Sequence, residues 1–194
     1  LRELNVRPYA TGLLSDEGAS GSMLILVLFL LASVTFDGFT ATPLWSVVVA
    51  FSYGILPNVT VLSTVGLLGF WLIFVGAYMG VIAMVIYVSR SDLCLIKGAQ
   101  LFVYSLVPIA LAYHLAHFLS FLLIQGQLII PLLSNPFGFG WDIFGTADYK
   151  VNIGVINARV TWLVSVGSII VGHVIAIYLA HKKMKQKLFQ CLMK

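Results

Sequence analysis

The chain has 194 residues, of which 60% are hydrophobic and only 9% charged, with a formal net charge of +4. Soluble domains carry about 25% charged residues, so too little polar surface is present to cover a globule, and a soluble enzyme or binding module is excluded. The positive balance does not indicate nucleic acid. Lys182, Lys183, Lys185, Lys187 and Lys194 crowd the C-terminus after an apolar run, an arrangement that meets anionic lipid headgroups.

In chain order, residues 1–21 are polar and Gly-rich, begin at Leu1 and contain no signal-peptide pattern. They read as a cytoplasmic segment of a chain that is processed, truncated or part of something longer. A bilayer core of about 30 Å needs about 20 apolar helical residues, and four runs qualify: 22–39, 61–88, 100–124 and 158–181. The second is long enough to require tilt or emergence into the headgroups. Between the first two, Pro43 to Leu56 is too short to span and reads as an interfacial or re-entrant helix. After the third, Leu128 to Leu133 is interrupted by Pro131 and leads into the loop NPFGFGWDIFGTADY. Residues 182–194 form a basic cytoplasmic tail. Backbone groups in lipid must be satisfied internally, and strand-like alternation is absent. The expected fold is therefore an all-α integral membrane helical bundle of about four transmembrane helices with short interfacial or re-entrant segments.

The basic residues set the orientation. With a cytoplasmic N-terminus, Arg2, Arg7, Arg90, Lys97 and the C-terminal lysines fall inside, leaving Lys150 and Arg159 outside. Both termini are thus expected in the cytoplasm. Cys94 and Cys191 then lie on the reducing side as free thiols. The two halves do not echo each other, which weakens an inverted-repeat transporter reading.

Ionisable groups at membrane depth are functional candidates by default. Asp37, His114, His117 and His173 are the ones present, with His181 at the cytoplasmic edge. His114 and His117 stand three apart and project from one side of the third helix. At about 1.5 Å per residue they lie roughly 21 and 26 Å from its cytoplasmic end, and Asp37 lies roughly 22 Å along the first. A carboxylate and two imidazoles matched in depth suit a transition metal such as zinc, copper or non-haem iron, or a proton relay. They equally suit a structural ion pair, with the imidazoles hydrogen-bonded to carbonyls, Tyr113 or Ser120. Gln125, Gln127 and Asp142 follow at the outer mouth. Haem is disfavoured, because His173 lies roughly 12 Å from the cytoplasmic edge, about 9 Å out of register with His114.

Gly66, Gly69, Gly76 and Gly80 in the second span, and Gly167 and Gly172 in the fourth, read as helix-packing faces, Gly76-xxx-Gly80 having the close-approach spacing. Pro108 is expected to kink the third helix before His114. Asn58-Val59-Thr60 forms a sequon. No nucleophile elbow, phosphate loop, HExxH or CxxC pattern occurs.

The stretches VTFDGFTATPLW, PIALAYHLAHFLSFLLIQGQLIIPLLSNPFGFGWDIFGTADY and VGHVIAIYLAHKKM resemble the C-terminal half of a bacterial multi-pass membrane family named fenitrothion hydrolase-like. The resemblance runs from about Arg7 to Lys183 and is most specific from Tyr113 to Tyr149. It implies a longer protein with further helices N-terminal to this region, and phosphotriester hydrolysis as the activity. It brings no catalytic residues; a metal-activated water held by His114, His117 and Asp37 is the physical route to such chemistry. Two functions are expected to compete. In the favoured one the chain is a non-catalytic or structural subunit of a larger membrane assembly, partnered by lipid and other membrane subunits and by no nucleic acid. In the other it is a metal-dependent hydrolase-like enzyme with an outer-leaflet His/Asp site. A transport component is a weaker third.

Overall fold

The computed structural model describes residues 11–14, 18–91 and 93–192, with the side chains of 11, 14 and 187–192 excepted. Arg2, Arg7, Lys194 and the thiol of Cys191 therefore lie outside the described residues. Among the described residues six α-helices follow in order: α1 (Gly21–Thr40), α2 (Pro43–Ser52), α3 (Val59–Val88), α4 (Leu95–Gln125), α5 (Ile129–Ser134) and α6 (Ala158–Leu192). Short 3-10 turns occupy Thr11–Leu14, Gly126–Leu128 and Ile153–Val155. Among the described residues there is no strand. Four apolar stretches are helical and long enough to cross a membrane: Gly21–Thr40, Val59–Val88, Leu95–Ser134 and Ala158–Gln186. The third is longer than the expected 100–124, because the Gly126–Leu128 turn carries the apolar run on into α5.

The chain divides into two compact units, one of residues up to Ala110 together with those from Gly172 onward, the other of Leu111–Val171.

In the first unit the helix boundaries follow from local chemistry. Ser20 caps α1 by accepting from the Met23 amide at 3.2 Å, and Pro43 opens α2 where a missing N–H costs nothing. Asn58 Oδ1 accepts from the Thr60 and Val61 amides at 2.9 and 3.3 Å, so the sequon asparagine is the N-cap of α3. α3 ends where Arg90 turns left-handed at φ 47 and the Ser91 amide reaches back to the Ile86 carbonyl at 3.2 Å, a Schellman closure.

Leu24, Val27 and Leu28 of α1, Ile82 of α3, and Ala99 and Val103 of α4 form the buried core with Ala19. Two close approaches lock it. Gly98 lets α4 lie against α3, since a Cβ there would stand 3.1 Å from Ile82 and Ile86. Gly66 lets α3 lie under the rings of Phe36 and Trp45, where a Cβ would stand 3.0 and 2.9 Å away. Phe36, Phe39, Trp45 and Phe70 close over that spot with ring centroids 5.1 to 5.8 Å apart, which fastens α2 to α1 and α3. The Tyr78 hydroxyl donates to the Ala99 carbonyl at 2.7 Å.

The α3 glycines divide into two sets, and one expectation is corrected here. Of the α3 glycines only Gly66 packs inside the chain; around Gly69, Gly76 and Gly80 an added Cβ would meet nothing within 4 Å. They lie on the side of α3 opposite Tyr78, about two and a half turns after Gly69, and so face away from α4. In addition, Lys183 does not face headgroups: it is 1% exposed, with Nζ 4.8 Å above the Tyr104 ring. Its long stem and cationic head suit that ring face, and α6 stays helical past it to Leu192.

In the second unit, helix gives way to irregular backbone after Ser134, and hydrogen bonds take over. Ser134 is fully buried. Its hydroxyl pairs with the Thr146 hydroxyl at 2.7 Å and accepts from the Phe144 and Thr146 amides at 3.2 and 3.3 Å. Its carbonyl accepts from the Ile143 amide at 3.1 Å. Gly138, Gly140 and Gly145 supply the three left-handed turns, with φ of 72, 78 and 69.

Candidate functional site

His114 and His117 occupy the second unit, on α4, where spacing of three puts both on one face. His114 is half-buried and His117 exposed. The Phe118 ring lies against both imidazoles, at 6.0 Å from His114 and edge-on at 4.8 Å from His117. Asp37, the third expected ligand, is an exposed residue near the end of α1 in the first unit. His173 is half-buried on α6 and belongs to the first unit as well. Among the described residues no group of three or more His, Cys, Asp and Glu side chains is arranged to hold a metal ion.

The second unit also holds an open groove of about 450 Å³, lined by Ser120 and Ile124 of α4, Ile156, and Ala158, Thr161, Trp162 and Ser165 of α6. Ser120 and Ile124 follow His117 by three and seven residues, so all three share a helix face. The groove hydroxyls are engaged. Ser165 Oγ donates to the Ala116 carbonyl at 3.0 Å, Ser120 Oγ to Thr161 Oγ1 at 3.5 Å, and Thr161 Oγ1 to the Asn157 carbonyl at 3.2 Å. Small hydroxyl residues bonded across two apolar helices act as interhelical glue. What remains available in the groove is an apolar wall formed by Ile124, Ile156, Ala158 and Trp162, suited to an acyl chain or an apolar side chain. Thr161 and Ser165 were not singled out from the sequence. Their four-residue spacing was the signal, but it has meaning only once α4 is known to lie opposite.

The polar residues at the expected outer mouth turn out to build the loop. Gln127 Nε2 donates to the Leu123 and Asn152 carbonyls at 2.8 and 3.0 Å, and its Oε1 accepts from the Tyr149 hydroxyl and the Asn152 amide at 3.0 and 2.9 Å. That fills the capacity of a side-chain amide. Asp142 Oδ1 accepts from the Ala147 amide at 2.9 Å. Asn157 Oδ1 accepts from the Val160 amide at 2.8 Å, starting α6.

No family model, curated protein or solved structure matches this chain.

Proposed function

We propose that this chain is a non-catalytic subunit of a larger membrane assembly, inserted in a bacterial inner membrane with both termini in the cytoplasm. The glycine face of α3 carries the proposal. Gly69, Gly76 and Gly80 are separated by seven and four residues and so line up on one side of the helix, with open space above each. Ile73, Met84 and Tyr87 flank them, 65%, 68% and 84% exposed. Each glycine in a helix interior costs about 1 kcal/mol relative to alanine. Against lipid nothing returns that cost, whereas against a second helix the missing side chains let backbones approach. Burial agrees: 6% of the apolar window of α3 is covered within the chain, against 33% for α1.

The test is the size of the mildly solubilised protein on native gels and after cross-linking. The chain itself is 21.2 kDa and is expected to migrate in a distinctly larger complex with other polypeptides. Gly76→Leu and Gly80→Leu should release it, and Val81→Leu, on another side of α3, should not. A monomer in membranes and in every mild detergent would overturn the proposal. Elemental analysis separates the hydrolase-like alternative: a stoichiometric metal lost in both His114→Ala and His117→Ala would put the metal-dependent enzyme in its place.

A further inference from the structure

From Leu128 to Trp141 the chain carries no charged residue, yet from Asn135 on it is not helix. Within it Phe137, Phe139 and Trp141 alternate with Gly138 and Gly140, both in the left-handed region. The two turns gather the rings on one spot: centroids stand 6.2 Å apart for Phe137 and Phe139, 5.9 Å for Phe137 and Trp141, and 5.6 Å for Phe139 and Trp141. The cluster nevertheless stays outside the protein. Phe137, Phe139 and Trp141 are 68%, 73% and 47% exposed. Aromatic side chains bury about 150–250 Å² each when covered, so three held in the open are expensive in water.

The base of the loop is held by hydrogen bonds on both sides of the tip. Ser134 holds Ile143, Phe144 and Thr146, while Gln127 holds Tyr149 and Asn152. Charge is confined to the far side of the loop. The Asp142 carboxylate is drawn to the Ala147 amide, and Asp148 and Lys150 follow as exposed residues. On the near side the apolar surface runs on into α5, where Ile129, Leu132 and Leu133 are 60%, 58% and 59% exposed. An aromatic tip continuous with an apolar span and backed by a charged rim has the composition of a membrane–water interface, where Trp and Phe rings settle.

We propose that the Asn135–Phe144 loop seats its aromatic tip in the headgroup–acyl boundary of the bilayer, anchoring the end of the third span to lipid. The pinned base presents the rings at a fixed height, so the loop inserts without having to be ordered by the membrane. The loop needs no partner subunit, and its fate is independent of the glycine face of α3.

The full chain in phosphatidylcholine nanodiscs, whose two faces are both open to solutes, provides the test. It has four tryptophans, and subtracting the emission of Trp141→Phe isolates Trp141. With lipids brominated near the top of the acyl chain, the Trp141 component is expected to be blue-shifted and to lose most of its emission, and iodide in the buffer should leave it largely intact. Quenching by iodide and not by brominated lipid would place the tip in water. Quenching by neither would mean that protein covers it. Either result overturns the proposal. The other three tryptophans, quenched alike by deep-brominated lipid in both proteins, establish that the substitution leaves the spans inserted.

Discussion

In the first unit Phe36 and Trp45 close over Gly66 and Ile82 presses on Gly98, all through van der Waals contact. In the second, Ser134 and Gln127 hold the chain through hydrogen bonds to backbone and side chains of residues 123–152. The contrast follows from backbone chemistry. α1 and α3 satisfy their own amides, so side-chain shape is all that is left to fix how they lie together. After Ser134 the chain leaves the helix at the end of an apolar span, and each freed backbone group needs a partner. The two units should therefore respond to different substitutions, shape changes in one and lost polar atoms in the other.

Removing the Ser134 hydroxyl is expected to have the largest effect. Ser134→Ala leaves the Phe144 and Thr146 amides and the Thr146 hydroxyl without their partner, at about 0.5–1.5 kcal/mol for each hydrogen bond lost. Amide exchange at residues 143–147 should accelerate by at least an order of magnitude while the α1–α3 core stays protected. Next is Gly66→Ala, where the new methyl group collides with two rigid rings and overpacking costs about 1–3 kcal/mol. Its thermal unfolding in detergent should fall by several degrees. Gly69→Ala, three residues on and open to its surroundings, should leave that transition unchanged or raise it slightly, and equal losses at both positions would erase the distinction drawn for α3. Tyr78→Phe removes one hydrogen bond to Ala99 and should cost about 0.5–1.5 kcal/mol, read as the same thermal shift on a smaller scale. Arg90→Gly is expected to stabilise, by up to about 1 kcal/mol, since glycine takes the left-handed position that ends α3 without steric cost. A loss of stability there would mean that the arginine side chain itself holds the turn.

Much of the helical architecture was legible because the bilayer simplifies the code. Spans are long apolar runs, and the sequence has four of them. Pro43 was visible as punctuation, whereas Asn58 was legible only as part of a sequon and its role as the cap of α3 needed the amide positions. The candidate site was less legible. The three-residue spacing of His114 and His117 guarantees a shared face, but nothing local says what Asp37, on another helix, stands near. Gln127 and Asp142 looked like mouth residues of a site because polar groups after a span usually meet water. Gln127 meets Tyr149 and Asn152, 22 and 25 residues away along the chain and beyond any local pattern, while Asp142 turns to Ala147 five residues on.

Apolar run length, charge and proline placement by themselves determined that the chain is helical and has four stretches able to span a membrane, because in lipid a helix must satisfy its own backbone. Which glycine is a packing contact and which faces outward, why Lys183 is buried over Tyr104, and how the aromatic loop is held open were decided only by tertiary structure. Those outcomes depend on which helix face meets which neighbour, and the four α3 glycines are chemically identical until a ring from another helix stands over one of them.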